Sequence, residues 1–281
     1  MSESIDAADL FGVKGLVAVV TGGGTGIGLM MAKALEANGA TVYIIGRREE
    51  VLKKAAEEAK HGNIIPLRGD VTSRSDLDRI VTSIASHTGY INVLIANSGM
   101  NGPVPQPLSA HPTISQLRSS LWKCPSDDFT STFAVNTTGV FFTVVVFLEL
   151  LDAGNKKGNV SQKSQVIATS SIGGFNRLSN AGYAYNCSKA ATTHLMKMFA
   201  TSLVPFGIRS NILAPGLYPS EMTGALQGAA DPKYYVPAKR SGTVEDMAGA
   251  ALFLCSKAGG YVNGNVLVTD GGLLSIIPGT Y

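Results

Sequence analysis

Tyr185 and Lys189 stand four residues apart in Tyr185-Asn186-Cys187-Ser188-Lys189, with Ser170-Ser171 fourteen to fifteen residues upstream. On a helix, residues i and i+4 share a face, so an ammonium can sit beside a phenol and favour its phenolate, lowering a pKa that is about 10 when unperturbed. Such a pair would donate and accept protons near neutral pH. A second group is Thr21-Gly22-Gly23-Gly24-Thr25-Gly26-Ile27-Gly28. Glycines let a backbone turn tightly and approach a pyrophosphate, and a helix opening there offers free N–H groups and a positive dipole end. Each signal is weak alone, since glycine turns are often plain turns and a Tyr and a Lys four apart recur by chance. Other chemistries have less support. Ser120-Leu121-Trp122-Lys123 fits S-x-x-K without an S-D-N or K-T-G partner, and there is no G-x-S-x-G elbow. Three cysteines without a C-x-x-C pair, and four histidines without ligand spacing, speak against a disulfide framework and a zinc site.

The elements around these residues alternate. A β-rich apolar run at 16–20 leads into the glycine turn, and 27–38 reads as a helix stopped by Gly39. Strands follow at 41–45, 63–67, 92–96, 165–169, 208–214 and 265–268, separated by helices at 49–60, 75–87, 127–151, 185–204 and 244–255. Strands that are apolar throughout, with helices between, predict an α/β fold: a doubly wound parallel sheet covered on both faces. Segments 100–126 and 216–241 break the rhythm and are expected to be functional or mobile loops, whereas the polar 154–164 is expected to be a solvated connector. No repeat or composition break marks a boundary, so the expectation is one domain over 1–281, with its core at about 14–272.

Of the 281 residues, 45% are hydrophobic and 15% charged, enough apolar matter for a large core and too little charge for a disordered chain. The net charge is +3 with the basic residues scattered, which disfavours nucleic acid. The N-terminus lacks a basic region followed by an apolar one, and the longest apolar stretch, 140–151, is interrupted by Thr143 and Glu149. No membrane association is expected, and the location expected is cytoplasmic.

Taken together, these residues resemble the short-chain dehydrogenase/reductase family over roughly 14–272. Its T-G-x-x-x-G-x-G turn is matched by Thr21, Gly22, Gly26 and Gly28, and its acidic adenine contact by Asp70. Its N-A-G segment is matched by Asn97-Ser98-Gly99, with Ser in place of Ala, its P-G by Pro215-Gly216 with Ser220 as the hydroxyl that follows, and its D-G-G by Asp270-Gly271-Gly272. The resemblance implies a Rossmann fold with an extended substrate-loop region and a catalytic set of Asn136, Ser171, Tyr185 and Lys189. The cofactor contacts expected are Gly22, Thr25, Gly26, Ile27 and Gly28; Arg47 and Arg48; Asp70 and Val71; Asn97, Ser98 and Gly99; Tyr185 and Lys189; and Pro215, Gly216, Leu217 and Ser220. Ser171 would bond the substrate oxygen, Tyr185 would donate the proton, Lys189 would hold the cofactor ribose and tune Tyr185, and Asn136 would anchor a relay water. Ser170 is the rival for the role of Ser171.

The second strand ends Ile45-Gly46-Arg47-Arg48. Where an acid would receive the ribose hydroxyls of NAD there is Gly46, and Arg47 can make bidentate bonds to a 2′-phosphate, so NADPH/NADP+ is expected, with Arg48 as the substitute. Segment 216–241, with Tyr218, Met222, Tyr234 and Tyr235, is expected to be a substrate lid, and part of 100–126 its opposite wall or a subunit contact. The expected reaction is reduction of a mid-sized, largely apolar carbonyl compound, with similarity to 3-oxoacyl-reductase-like members. The alternatives are an NADP-dependent alcohol dehydrogenase working oxidatively, or a noncatalytic NADP(H)-binding sensor or scaffold. The family resemblance implies that the helices at 140–151 and 185–204 form the core of a homodimer or homotetramer.

Overall fold

The computed structural model describes residues 5–224 and 231–280; Tyr234 is described by its backbone only. After a short helix α1 (Ala7–Leu10), the chain alternates β1 (Val17–Thr21), α2 (Gly26–Ala37), β2 (Thr41–Gly46), α3 (Glu49–Glu57), β3 (Ile64–Arg68), α4 (Arg74–His87) and β4 (Val93–Ala96). It continues through α5 (Ile114–Trp122), α6 (Ser126–Phe133), α7 (Gly139–Lys157), β5 (Gln165–Thr169), α8 (Tyr183–Ser202), β6 (Arg209–Pro215), α9 (Glu221–Gly224), α10 (Val244–Cys255) and β7 (Val266–Thr269). The seven strands form one parallel sheet in the order β3-β2-β1-β4-β5-β6-β7, a doubly wound Rossmann fold. The order reverses between β1 and β4, and open sheets of this kind bind ligands in the crevice at that point.

Side chains alternate across each strand, so every strand feeds two cores. Ala18, Val20, Val42 and Ile44 pack with Met31 and Leu35 of α2 and with Met247 and Leu254 of α10. Val17, Val19, Tyr43 and Ile45 face the other way, against Ile80 and Ile84 of α4, Val144, Phe147 and Leu151 of α7, and Met196 and Phe199 of α8. Burial on both faces is why these strands read as unbroken apolar runs.

Two expectations need correction. α6 and α7 are one continuous rod through a π-helical turn at Ala134–Thr138, and it reaches Lys157, so the start of the supposed connector at 154–164 is helical. Gly154 is the reason: a Cβ there would lie 2.0 Å from the Ile91 carbonyl oxygen, so the helix crosses the chain just before β4 at a bare backbone, and Gly158 ends it in the left-handed region. The rod has the length and apolarity to cross a bilayer, and its apolar side is accounted for by Val140, Val144, Phe147, Leu150 and Leu151 in the core. The segment 100–126 is also not all loop: it holds α5, opened by a capping box in which Thr113 Oγ1 accepts from Gln116 N–H at 3.2 Å and Gln116 Oε1 accepts from Thr113 N–H at 2.8 Å.

Candidate active site

The crevice at the switch point is a cleft of about 690 Å³ at the carboxyl ends of the strands, running from Arg47 and Arg48 at one end to Ser171, Tyr185 and Lys189 at the other. Among the described residues the expected cofactor set lines it with one exception. Leu217 instead packs with Ile172, Val236 and Leu273, because its side chain belongs to a separate apolar cluster beside the cleft.

The glycine turn is held by a network of strand ends. Thr21 Oγ1 accepts from the N–H groups of Asn97 and Ser98, both at 3.0 Å, and Asn97 Nδ2 donates to Thr21 O at 3.0 Å. Asn97 Oδ1 accepts from Thr169 Oγ1 at 3.0 Å, so one side chain ties β1, β4 and β5 together at their tips. Gly22 and Gly26 have positive φ, and a Cβ on Gly28 would lie 2.3 Å from Gly22 O and 2.4 Å from Asn97 Nδ2. α2 can therefore start here only on glycine. A Cβ on Gly26 would meet Ser220 Cβ at 3.0 Å, and one on Gly99 would lie 3.3 Å from both Asn136 Oδ1 and Lys189 Nζ. These bare backbones along a continuous trough, ending at a helix N-terminus, fit a dinucleotide with its pyrophosphate at α2.

At the far end, Ser171 lies two residues past β5 in an extended conformation, and its Oγ accepts from Gly173 N–H at 3.0 Å, leaving its own proton free to donate. Ser170 is different. It is buried, lies 2.7 Å from Thr193 Oγ1 and donates to Lys189 O at 2.9 Å, which makes it a strut between β5 and α8. Tyr185 and Lys189 are on one face of α8, with Lys189 Nζ 5.8 Å from the Tyr185 ring centre and donating to Thr169 O at 2.8 Å. The expected lowering of the phenol pKa is not what this environment gives. Burial pushes the Tyr185 phenol above its ordinary value, with the Ser171 hydroxyl acting weakly the other way, and burial brings Lys189 down to about 8.

Asn136 lies behind this group rather than on the cleft. It is fully buried in the π-turn, where Oδ1 accepts from Met100 N–H at 2.9 Å and Nδ2 donates to Met100 O at 3.0 Å and Ser188 Oγ at 3.0 Å. Its carbonyl accepts from Thr192 Oγ1 at 2.6 Å. With every group of its amide in use, it fixes the Gly99–Met100 backbone against α8. Asp70, the expected adenine contact, lines the cleft and accepts from Thr72 N–H at 2.9 Å and Thr72 Oγ1 at 2.7 Å through one carboxylate oxygen.

Sequence reasoning did not foresee Glu221 and Asn101 at the cleft. Glu221 pairs with Arg48, and Asn101 Nδ2 donates to Met222 O at 3.1 Å, so the start of 216–241 is tied to both walls. Neither residue belongs to a motif, and only the folded chain brings them together. In that segment Tyr218 is buried in the main core against Gly242, where a Cβ would lie 2.3 Å from the ring, so it anchors the segment's base. Met222 lines the cleft, Tyr235 joins the separate apolar cluster, and the Tyr234 side chain lies outside the described residues. A second cavity of about 650 Å³ lies between the 100–126 segment and α8, with Val104, Leu121, Phe129 and Ala184 in its walls.

A family model described as Enoyl-(Acyl carrier protein) reductase matches residues 22–274. The chain is 56% identical to the short-chain dehydrogenase/reductase PhomF of Diaporthe leptostromiformis, covering 100% of this chain and 99% of that one. Its structure superimposes on the RhlG/NADP active-site complex of Pseudomonas aeruginosa with a TM-score of 0.78 at 28% identity, covering 94% and 98% of the two chains. It also matches the 3-ketoacyl-(acyl-carrier-protein) reductase of Brucella melitensis complexed with NADH, with a TM-score of 0.77 at 26% identity, covering 93% and 99%.

Proposed function

The chain belongs to the short-chain dehydrogenase/reductase family of oxidoreductases, and from that premise we propose that it is an NADPH-dependent ketoreductase acting on a mid-sized, largely apolar carbonyl compound. The observation that carries this reading is the convergence of the Tyr185 phenol, the Ser171 hydroxyl and the Lys189 ammonium on one end of the cleft whose other end carries Arg47. NADPH, when bound, supplies the hydride for the carbonyl carbon. Ser171 donates a hydrogen bond to the carbonyl oxygen and holds it toward Tyr185. Tyr185 gives that oxygen its proton as negative charge develops there. Because burial keeps the phenol protonated at neutral pH, the group stands ready for reduction; the oxidative direction would need the phenolate. Lys189 stabilises the phenolate left behind, and its pKa of about 8 lets it return a proton through solvent. Asn136 keeps Gly99 and Met100 in place on the opposite wall.

NADPH is favoured over NADH by charge. Arg47 is exposed at the adenosine end with no ion pair among the described residues, while Arg48 is occupied by Glu221. An apolar substrate is supported by Met100 and Met222 at the cleft, and the described ends of segment 216–241 beside it are read as parts of a lid. Self-association as a homodimer or homotetramer is supported by Phe141, Val145 and Met198, which α7 and α8 leave exposed.

The test is oxidation of NADPH, followed at the nicotinamide absorbance, against a panel of ketones and aldehydes that includes β-ketoacyl thioesters. Turnover with NADPH that Tyr185→Phe lowers by about two to four orders of magnitude is the expected result. Tight NADPH binding with no turnover on any member would favour a sensor or scaffold.

A further inference from the structure

Beyond Asp270 the chain doubles back onto the site. The Asp270 carboxylate accepts from the N–H groups of Gly272 at 2.9 Å and Leu274 at 2.6 Å, starting a short 3-10 turn at Leu273–Ser275. The tail then runs antiparallel to the segment that follows Ser171. Asn176 and Gly279 form a β-bridge, Thr280 N–H donates to Phe175 O at 2.7 Å, and Arg177 N–H donates to Pro278 O at 2.8 Å. Between these anchors Leu273, Leu274 and Ile277 pack with Ile172, which adjoins Ser171, and with Leu217, Tyr235 and Val236 of the 216–241 segment. This cluster is distinct from the two that sandwich the sheet, and no strand contributes to it.

We propose that tail residues 276–280 are a brace that fixes Ser171 relative to Leu217 and Val236, with Ile277 as a positioning residue for the carbonyl substrate. Ser171 heads a turn of only three residues, Ile172–Gly174, closed by Gly173 N–H to its Oγ and by Gly174 N–H to its carbonyl at 3.0 Å each. Past that turn, the bonds of Phe175 O and Arg177 N–H run to the tail. Without it, both lose their partners and the apolar cluster opens to water. The two walls that the tail joins come from different strands, β5 and β6, and misplacing a substrate-bonding group by 1 Å can cost about 100-fold in rate. The glycine turn and Arg47, at the other end of the cleft, make no contact with this cluster. The brace rests on the reading of Ser171 as the group that bonds the substrate oxygen.

The test uses the full chain, a chain ending at Ser275, Ile277→Asp, and Ile277→Leu as the conservative variant. Hydrogen exchange with NADPH present should show amides of 172–178 and 232–236 exchanging about 10-fold faster or more in the truncated and Asp forms, with 17–28 and 93–99 unchanged. NADPH affinity should stay within about 2-fold, and kcat/KM for S-acetoacetyl-N-acetylcysteamine should fall about 10- to 100-fold, both readouts returning in Ile277→Leu. Unchanged exchange at 172–178 in the truncated chain would overturn the brace, as would equal loss of protection throughout the sheet. If the full chain reduces no β-keto thioester, the ketoreductase reading of that substrate fails while the exchange comparison still decides the brace.

Discussion

Arg48 and Glu221 clasp each other at the end of the cleft away from Tyr185, Arg48 Nη2 2.7 Å from Glu221 Oε2 and Nη1 3.3 Å from Oε1. The pair joins the end of β2 to the start of α9, and it divides the labour between adjacent arginines. Arg48 is neutralised by the carboxylate, whereas Arg47 has no ion pair among the described residues and is the cation available to a 2′-phosphate. A hydrogen bond to a charged group contributes on the order of 1.5–3 kcal/mol, so Arg47→Ala should weaken NADPH binding roughly 10- to 150-fold and leave NADH nearly unchanged. Arg48→Ala should cost less, because the Glu221 carboxylate already neutralises Arg48 at the surface. Paired titrations with the two cofactors check this; equal loss of both in Arg47→Ala would show that Arg47 does not read the phosphate.

The two neighbouring serines should separate cleanly. Ser170→Ala removes buried hydrogen bonds to Lys189 O and Thr193 Oγ1, and should lower unfolding stability by about 1–3 kcal/mol while leaving much of the turnover. Ser171→Ala removes a hydroxyl that points into the cleft and should lower kcat about 100-fold with little change in stability. Denaturant unfolding and single-substrate kinetics on both variants decide the assignment, and reversed effects would move the catalytic role to Ser170.

How much of this was legible in the sequence depends on the range of the interaction. The strand and helix pattern is local, so the sheet and the glycine turn could be read from apolar runs and from Gly22, Gly26 and Gly28. The spacing of Tyr185 and Lys189 on one helical turn was equally readable. The burial around them was not, and it reverses the expected direction of the phenol's shift. Asn136 could be identified by position, yet its amide is spent on Met100 and Ser188, a fact set by residues 36 and 52 positions away. The polar stretch after Gly154 read as loop because its helix is dictated by packing against Ile91 rather than by its own pattern. Glu221 and the Phe175–Thr280 pairing arise from long-range closure, which leaves no periodic trace.

Tyr185→Phe should leave the fold and NADPH affinity intact and lower turnover by about two to four orders of magnitude, the range for losing a general acid. The pH profile should be one-sided. The phenol's pKa is raised, so it stays a donor through neutral pH and beyond; the group that changes first is Lys189, near 8. Reductive kcat/KM should be level on the acid side of that value and fall above it as the ammonium is lost. A profile that rises through pH 8 would mean that the phenolate, not the phenol, is the working form.

Lys189 also carries a stability cost that can be measured separately from catalysis. Its pKa of about 8 in the fold lies below the ordinary 10.5, so the unfolded chain holds the proton more tightly. The cost is present in full below about pH 8, shrinks as pH rises toward 10.5 and is gone above it; a shift of this size corresponds to on the order of 3 kcal/mol. Lys189→Met keeps the unbranched stem up to Cε and removes the buried charge, but it leaves Thr169 O without its donor, a penalty of about 1–2 kcal/mol. The net expectation at pH 7 is a variant more stable by about 1–2 kcal/mol, with Tm higher by roughly 2–6 °C and reductase activity lost. Repeating the melts across pH 7 to 10.5 should see the advantage disappear as the parent sheds its proton. A variant that is less stable than the parent at pH 7 would show that the ammonium is held by favourable contacts rather than against a desolvation cost.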